Sequence, residues 1–296
     1  MSLVLHKTKS DRIVDAILYI ILTIFALACL FPIYYVFIMS ITPFSEVLSR
    51  GGFVIIPKTV TFEAYKEIFS SQRIPQALRV TVFVTVVGTT LNLITTILLA
   101  YPLSKKFVPG RNYFLLAIVF TMLFNGGLIP TYLVVRGIGL TNTIWALIIP
   151  GLVSAFNMLI VKTYFQNLPD EIEDAAKVDG CGDFQTMFRI VLPLSMPILA
   201  TIGLFYAVGH WNAFFGAILY ISDKSLYPIQ LVLRNMIQNP NVSQELQLMN
   251  SQIMQQLPPE TIKMATVVVA ILPILAIYPF LQKYFVRGML IGAIKG

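Results

Sequence analysis

The most informative part of the sequence runs from residue 167 to residue 193 and reads NLPDEIEDAAKVDGCGDFQTMFRIVLP. Pro169 suits the first turn of a helix, because its missing N–H would have no helical partner there. Four acidic residues at 170–174 then place negative charge at the positive end of the helix dipole. Ala175 and Ala176 favour the helix and add almost no bulk, so another protein could approach this surface closely.

Gly180 and Asp183 mark the end of this helix and the start of the next. Gly180 is predicted to end the first helix, since glycine adopts a positive φ at little cost. Asp183 is predicted to cap a second helix over residues 184–191, which runs on towards Pro193. The loop 166–192 is therefore predicted to form a short helix, a sharp turn and a second helix, lying across the mouth of a helical bundle.

The chain as a whole has the composition of a membrane protein. Of its 296 residues, 57% are apolar and 12% are charged, and the mean hydropathy is +0.79. An ordinary soluble domain is about one quarter charged, so lipid is the solvent for most of this chain. In a membrane protein, a formal net charge of +7 is first of all evidence about orientation in the membrane, and only then about nucleic-acid binding. Cys29 and Cys181 give neither a disulfide framework nor a metal-ligand spacing.

Six segments are long and apolar enough to cross a bilayer, which takes about 20 mostly apolar residues in a helix. They span residues 13–40, 76–103, 113–135, 143–165, 193–221 and 264–285. The sequence therefore predicts an all-α integral membrane protein with six transmembrane helices. The first segment is too long for the apolar part of a signal peptide and lacks an obvious small-residue cleavage site, so we expect it to remain as a span.

Basic residues predict the orientation of the six spans. With a cytoplasmic N-terminus, the cytoplasmic segments hold twelve of the 21 lysines and arginines. Seven of the other nine lie in two long outer loops, 42–75 and 222–263, where the positive-inside rule carries less weight. Both termini are therefore predicted to be cytoplasmic. The second outer loop fits either a solvated connector or a docking surface for an external partner, and composition does not separate these two roles.

The segment 167–193 resembles a known motif, the EAA loop of ABC importer permeases. That motif has an acidic residue, two alanines, a glycine, and an isoleucine shortly before Leu-Pro, all at fixed spacing. The matching residues in this chain are Asp174, Ala175, Ala176, Gly180, Ile190, Leu192 and Pro193. Asp174 stands where the family usually has glutamate, which keeps the charge and shortens its reach. The resemblance implies that this segment, called the coupling loop below, docks on a cytosolic ATPase, with Glu171 and Asp179 in the same contact surface.

The same resemblance implies how the chain works. Closure of the ATPase dimer would pull on the coupling loop and switch the spans between inward-facing and outward-facing arrangements. The sequence has no Walker-type phosphate loop, so ATP and magnesium are expected on a separate ATPase subunit, and no cofactor on this chain. The implied fold is the type I ABC importer permease fold, as a single transmembrane domain over residues 1–296, and no enzymatic activity is expected.

Similarity to known permeases extends over nearly the whole chain. The tail 282–296 and the sequence HWNAF at 210–214 look like the second permease of maltose-type sugar importers. The sequence FNGGLIPTY at 124–132 is closer to the LplC-like permeases of Gram-positive oligosaccharide systems. These similarities imply import of an oligosaccharide across a bacterial plasma membrane. The implied partners are a second, homologous permease in a heterodimer, two copies of a cytosolic ATPase and an extracytoplasmic solute-binding protein.

Polar and aromatic residues of the fifth span are the candidate contacts for the sugar, because such groups are costly in lipid and tend to face a cavity or another helix. Tyr206, His210 and Asn212 sit at positions i, i+4 and i+6 of a helix, with Trp211 adjacent. Helical geometry places Tyr206 and His210 on one face and Trp211 about 100° away from His210. Packing and hydrogen bonding between helices is the alternative role for each of these residues.

Other classes of function fit the sequence less well. The two histidines, His6 and His210, fall on opposite sides of the predicted membrane and cannot form a dyad or bind one metal ion. The acids at 170–174 lie on one short helix without partner acids in the sequence nearby, which favours docking over a divalent-metal site. An ATP-independent secondary transporter remains an alternative, although the sequence shows neither the internal repeats nor the buried ionisable residues common in such proteins. Within the ABC class, a non-sugar solute is the alternative cargo.

Overall fold

A computed structural model describes residues 9–238 and 259–293, with side chains from 11 to 238 and from 260 to 277. The secondary structure of these residues is helical, without a strand. Three predictions concern residues outside this range, in whole or in part. They are the two chain ends expected in the cytoplasm, the middle of the second outer loop, and the side chains of the tail motif.

The helices follow one another in the order expected for a membrane bundle with surface helices between the spans. The α-helices are α1 (Lys9–Ile41), α2 (Phe44–Ser49), α3 (Glu63–Ser70), α4 (Arg73–Ser104), α5 (Arg111–Leu123), α6 (Leu128–Gly137), α7 (Ala155–Gln166), α8 (Asp170–Val178), α9 (Asp183–Thr186), α10 (Leu192–Leu194), α11 (Met196–Asn212), α12 (Phe215–Tyr220), α13 (Ile229–Gln238) and α14 (Pro259–Ala293). Short 3₁₀ turns lie at Ile144–Leu147, Ile149–Gly151 and Lys224–Leu226, and a π-turn lies at Met187–Val191.

Three helical segments are long and apolar enough to cross a membrane unaided: most of α1, all of α4 and the part of α14 over Glu260–Ile277. Three further pairs of segments meet this requirement if each bent pair counts as one span. The bends measure 118° between α5 and α6, 51° between the 3₁₀ turns and α7, and 81° between the segment Asp183–Leu194 and α11. The described residues therefore contain three to six candidate spans, which overlap the six segments predicted from the sequence.

The segment predicted as the third span, 113–135, is two helices and not one. α5 ends at Leu123 and α6 begins at Leu128. Between them, Oδ1 of Asn125 accepts a hydrogen bond from the N–H of Gly127 at 2.9 Å and so stabilises a turn. The Asn-Gly-Gly sequence explains this break in an apolar stretch, since both residue types favour turns.

The segment predicted as the fifth span, 193–221, is interrupted as well. α11 begins at Met196, after the 81° bend, and ends at Asn212. Two residues then separate it from the short helix α12. The bend lies next to Pro197, which has no N–H with which to continue the helix that ends at Leu194.

Contacts between residues divide the described chain into two units. The first unit holds the residues up to Ser71 and the described residues of 236–269. One cluster of its buried apolar side chains comes from the end of α1, from α2 and from the loop after α2: Ile38, Met39, Ile41, Val47 and Val54. This small core gives the predicted first outer loop a defined structure.

Glu46 anchors the loop that follows α2 in this first unit. Its Oε1 accepts a hydrogen bond from the N–H of Lys58 at 2.8 Å, and its Oε2 accepts one from the N–H of Thr59 at 3.2 Å. The hydrogen bond from Lys58, more than any other interaction, lowers the pKa of the Glu46 carboxyl. The stabilisation is therefore present at neutral pH and is lost only as the pH falls through this lowered pKa.

The second unit holds residues 72–235 and the described residues from 270 onwards. α4 lies at its centre and packs along both α7 and α11. The core between these three helices consists of Ala100, Tyr101 and Leu103 of α4, Met158, Val161 and Phe165 of α7, Met187 and Val191 of the π-turn, and Leu199, Ile202 and Tyr206 of α11. The same packing brings the polar residues of α4 against those of α11.

Candidate functional site

The coupling loop folds as predicted up to its turn, except that Pro169 is the cap residue before α8 and not part of its first turn. α8 ends at Val178 with Asp179 as its cap residue, and Gly180 follows with φ +81°, a left-handed conformation that costs a residue with a Cβ about 1–2 kcal/mol. The N–H of Gly180 donates to the carbonyl of Lys177 at 3.0 Å, and the N–H of Cys181 donates to the carbonyl of Ala176 at 2.9 Å. This pair of hydrogen bonds is the Schellman motif, which ends a helix through a left-handed residue.

The helix after the turn differs from the prediction in two details. Gly182 occupies the cap position, with the extended backbone of a cap residue, so the prediction that Asp183 caps this helix is wrong. Asp183 lies instead in the first turn of α9, where its charge still complements the helix dipole. The predicted single helix over 184–191 also contains the π-turn, which contributes Met187 and Val191 to the core.

The residues of the EAA motif divide between a buried and an exposed side. Ala176 is buried, whereas the other motif and neighbouring residues on α8 and its turn are exposed: Glu171, Asp174, Ala175, Asp179 and Gly180. Further along, Ile190 and Leu192 are half-buried and Pro193 is exposed. Two large apolar side chains, Val178 at 88% exposure and Phe184 at 73%, flank the turn. Acidic groups, small residues and exposed apolar side chains together give this side of the loop the character of a protein-docking surface.

An ion pair ties the coupling loop to the end of α4, and the sequence did not indicate it. Lys105 follows the last residue of α4, and its Nζ pairs with Oε1 of Glu173 in α8. The two side chains are 14% and 15% exposed, so most of the pair is out of water. Both residues line a cavity of about 250 Å³, together with Tyr101 and Phe184. The sequence indicated only that Lys105 reports the orientation of the chain in the membrane and that Glu173 complements the helix dipole. It did not indicate that the two residues meet, because they are 68 positions apart.

Tyr206 connects the three helices of the core. Its hydroxyl lies 2.8 Å from Oγ1 of Thr96 on α4, and both side chains are buried. The same hydroxyl accepts a hydrogen bond from the N–H of Ser154 at 3.4 Å, and Ser154 is the cap residue of α7. One phenol of α11 therefore contacts both α4 and the start of α7.

Asn92, a fully buried residue of α4, supports the break in the predicted fourth span. Its Nδ2 donates hydrogen bonds to the carbonyls of Gly151 and Leu152, both at 2.7 Å. Because the helix is interrupted between Gly151 and Ala155, these carbonyls depend on partners from outside it. An unpaired carbonyl is costly in a bilayer, so Asn92 stabilises a bend that lipid would otherwise disfavour.

The carboxamide of Asn92 also determines the tautomer of His210. Oδ1 of Asn92 and Nε2 of His210 lie 2.6 Å apart. Since the amide atom that faces two carbonyl oxygens must be the nitrogen, the atom that faces His210 is the oxygen, an acceptor. Nε2 of His210 therefore carries a proton, and Nδ1 of the neutral ring is left as a hydrogen-bond acceptor.

Gly88 lets the His210 ring reach α4. A Cβ at Gly88 would lie 2.6 Å from Nε2 and 2.8 Å from Cε1 of His210, which is closer than such atoms pack. Any other residue there would push the ring away from Asn92. Glycine is therefore required at this position by close approach of a side chain, and helical periodicity in the sequence gives no sign of it.

The structure confirms that Tyr206 and His210 share one face of α11 and that Trp211 points elsewhere. Trp211 is buried and donates its Nε1–H to the carbonyl of Ala270 in α14 at 3.1 Å. Asn212 is exposed and donates to a carbonyl of its own helix at 3.0 Å. Hydrogen bonds to other segments thus engage Tyr206, His210 and Trp211, whereas the bond of Asn212 is local.

A cavity of about 150 Å³ lies beside His210. Its wall includes Ala213, Gly216 and Tyr220 from the region where α11 ends and α12 begins. His210 and Tyr220 are the two lining residues with polar side chains. Among the residues that the structure describes, no group of three His, Cys, Asp or Glu side chains could hold a metal ion.

Membrane-length helices, a helix–turn–helix loop and polar contacts between the spans define a membrane transport permease. The chain belongs to the family of the binding-protein-dependent transport system inner membrane component, whose pattern matches residues 110–291. The match includes the coupling loop and α11. The helices follow the type I ABC permease fold that the EAA resemblance implies.

Two relatives from Bacillus subtilis (strain 168) are similar over almost the whole length of the chain. Protein LplC is 47% identical over 294 residues, which make up 99% of this chain and 98% of that protein. The polygalacturonan/rhamnogalacturonan transport system permease protein YtcP is 46% identical over 288 residues, covering 97% of this chain and 99% of that protein. The predicted similarity to LplC-like permeases is confirmed.

Solved structures share the fold. One chain in the crystal structure of a bacterial ABC transporter involved in the import of the acidic polysaccharide alginate matches with a TM-score of 0.86 and 34% identity, covering 95% of this chain and 99% of that chain. A chain in the crystal structure of a bacterial alginate ABC transporter in complex with an alginate pentasaccharide-bound periplasmic protein matches with a TM-score of 0.58 and 15% identity, covering 92% and 93%. The second match is a likeness of fold.

Proposed function

We propose that this chain is the permease subunit of an ATP-driven importer that carries an oligosaccharide across the bacterial plasma membrane. In this proposal each bent pair of segments is one span, so that six spans form a single transmembrane domain with both termini in the cytoplasm. The chain moves its cargo without changing it chemically. The observation that carries the proposal is the coupling loop, a helix closed through Gly180 with an exposed acidic and apolar side, in a chain of this transport family.

The cargo is proposed from the relatives. YtcP is named for polygalacturonan and rhamnogalacturonan transport, and the transporter with a TM-score of 0.86 imports alginate. All three are acidic polysaccharides, so short oligosaccharides that contain uronic acids are the first candidates for this chain. A non-sugar solute is the alternative cargo within the same class of importer.

The proposed assembly supplies the ATPase, a second permease and the binding protein as separate subunits. Two copies of a cytosolic ATPase would bind ATP and magnesium and contact the coupling loop of this chain and that of a second, homologous permease. Glu171, Asp174 and Asp179 are exposed on that loop and offer carboxylates to basic groups of the ATPase. An extracytoplasmic binding protein would deliver the sugar, as the name of the family implies.

The substrate pathway is proposed to pass the region where α11 ends. His210 lines the 150 Å³ cavity there, and its Nδ1 can accept a hydrogen bond from a sugar hydroxyl. Asn212 is exposed at the end of the same helix, and its carboxamide can both donate and accept. Tyr206 and Trp211 hold α11 against its neighbours and would set the position of both groups.

Replacing His210 or Tyr206 with alanine is expected to lower sugar uptake while the complex still assembles with its ATPase. For His210, loss of one hydrogen bond to a neutral hydroxyl of the sugar is worth roughly 0.5–1.5 kcal/mol, which is about a two- to tenfold effect. For Tyr206, the expected loss comes from the position of α11, which its contact with Thr96 helps to set. The measurement is uptake of radiolabelled oligosaccharide against concentration in cells, with the amount of assembled complex determined in parallel. Unchanged uptake in both variants would leave these residues with a packing role only.

The function itself is tested by purifying the chain from its host in a mild detergent and counting the proteins that come with it. The expected result is an ATPase, a second permease and a binding protein, and the binding protein then retains short oligogalacturonides or related sugars from a screen. Recovery of the chain alone, with uptake driven by an ion gradient, would favour a secondary transporter. A binding protein that retains a non-sugar solute would correct the cargo.

A further inference from the structure

Along the chain, the coupling loop follows α7, and α10 connects it to α11. α4 is remote from the loop in sequence, yet it is the helix on which both α7 and α11 pack. It also carries Asn92 and Thr96, which contact the candidate pathway residues. Movement of the loop therefore moves the candidate pathway residues of α11 together with their partners on α4 if the loop is fixed to α4 as well.

The ion pair between Lys105 and Glu173 makes this connection. Lys105 follows α4 directly, and its ammonium also lies 4.8 Å from the centre of the Tyr101 ring, one turn earlier on α4. The Tyr101 ring meets the Phe165 ring of α7 edge to face at 6.2 Å. Contacts at the end of α4 thus position the Lys105 side chain, and its ammonium pairs with Glu173, which lies in the middle of α8.

A second ion pair lies within α8 alone and differs from the Lys105–Glu173 pair in its exposure and in the elements it joins. Lys177 and Asp174 are three positions apart in α8, their nearest charged atoms are 3.7 Å apart, and their side chains are 54% and 72% exposed. An exposed pair within one helix contributes little to stability and transmits nothing to another element. The Lys105–Glu173 pair joins two elements and is largely shielded from water, so loss of either partner leaves a poorly solvated charge unpaired.

We propose that Lys105 and Glu173 are positioning residues for coupling, which link α8 to α4 so that a displacement of the coupling loop moves α4 together with α7 and α11. The inference rests on the proposed function, because it assigns a role in transmitting the work of an ATPase. Neither residue belongs to the EAA motif. The role needs the pair of opposite charges and not a lysine or a glutamate at one particular position.

The test compares four variants of the complete complex in proteoliposomes: Lys105→Gln, Glu173→Gln, the swap of Lys105→Glu with Glu173→Lys, and Lys106→Gln. Lys106 is the adjacent lysine and is exposed, so its variant controls for loss of one positive charge. Short oligogalacturonides are the transported probe. The readout is the number of sugar molecules taken up per ATP hydrolysed, together with the thermal midpoint of each purified complex.

Each single variant at the pair is expected to lower the uptake per ATP at least fivefold, whereas Lys106→Gln keeps the wild-type ratio. The swap is expected to recover at least half of that ratio, but less than all of it. Asp183 and Lys177 line the same cavity, and their charges would then face the reversed pair. Rescue by the swap separates a role of the charge pair from simple misfolding of the single variants.

Two results would overturn the inference. The single variants could keep the wild-type ratio, including the case in which uptake and hydrolysis fall in equal proportion and report stability alone. The swap could also match the thermal midpoint of the wild type without regaining uptake. A wild-type complex that shows no ATP-dependent uptake of any sugar that its binding protein retains would instead remove the proposed function, and the inference with it.

Discussion

Replacing Gly180 with valine is expected to abolish most coupled uptake, with a fall of at least tenfold, which corresponds to about 1.4 kcal/mol. Gly180 has a φ of +81°, and a β-branched residue is strained in that conformation. Relief of the strain would change the angle between α8 and α9, and with it the shape that the coupling loop presents to the ATPase. The measurement is uptake and ATP hydrolysis in the same proteoliposomes, where hydrolysis should persist.

Gly182 offers a matched control two residues away. Its backbone is extended, with φ −76° and ψ 166°, a conformation that valine adopts readily, and an added Cβ would meet no atom within 4 Å. Gly182→Val should therefore retain most of the uptake. If Gly180→Val transports as well as Gly182→Val does, the left-handed turn is not what shapes the docking surface.

Replacing Asn92 with leucine should produce the largest loss of stability among single changes in the described bundle. The change removes two hydrogen bonds to the carbonyls of Gly151 and Leu152 and one from His210. At about 0.6–1.7 kcal/mol for each hydrogen bond inside a membrane, the free energy of unfolding should fall by roughly 2–5 kcal/mol. Leucine has a similar volume, so the effect reports the hydrogen bonds more than a cavity.

The measurement for Asn92→Leu is equilibrium unfolding in mixed micelles titrated with dodecyl sulfate. Thr90→Val is the control, because Thr90 lies on an exposed face of the same helix and bonds only a carbonyl of that helix. Its free energy of unfolding should change by less than about 0.5 kcal/mol. Equal stability of the two variants would show that the broken fourth span does not depend on Asn92.

The local structure of the coupling loop could be predicted from the sequence, because each of its features depends on near neighbours. Pro169 precedes the helix, the alanines continue it, and Gly180 ends it through hydrogen bonds that reach back no more than five residues. The errors there are small: the caps of the two helices, Pro169 and Gly182, each lie one residue from the predicted position, and a π-turn interrupts the second helix. The family was predictable for the same reason, since its motif is a pattern of local spacings.

The interruptions of the spans were harder to predict. Apolar composition indicates that a segment can lie in lipid, but it does not show where the helix breaks within it. The break in the predicted fourth span is stabilised by Asn92, which is 59 and 60 positions away from the carbonyls it serves. Such a contact depends on how the helices pack, and a single sequence carries no period that reveals it.

The candidate pathway residues were predictable as a set and not in their contacts. Helical spacing correctly separated the face of Tyr206 and His210 from that of Trp211. It did not show that Asn92 lies against His210, that Gly88 makes room for the ring, or that Lys105 meets Glu173. All of these involve α4 or the residue directly after it, and the apolar residues of α4 are spread around the whole helix, so the sequence does not show which side faces the other helices.

The π-turn at Met187–Val191 has a consequence for comparing this protein with its homologues. A π-turn bonds residue i to i+5 and so accommodates one residue more than a regular turn of α-helix. A homologue that is one residue shorter in this stretch can form an unbroken α-helix there, and each position after it keeps the same direction around the helix axis, because the π-turn takes up the extra residue. An alignment gap in that region therefore belongs within the π-turn, because a gap placed at Gly180 or Pro193 would pair residues that are offset by one position, or about 100° around the helix axis.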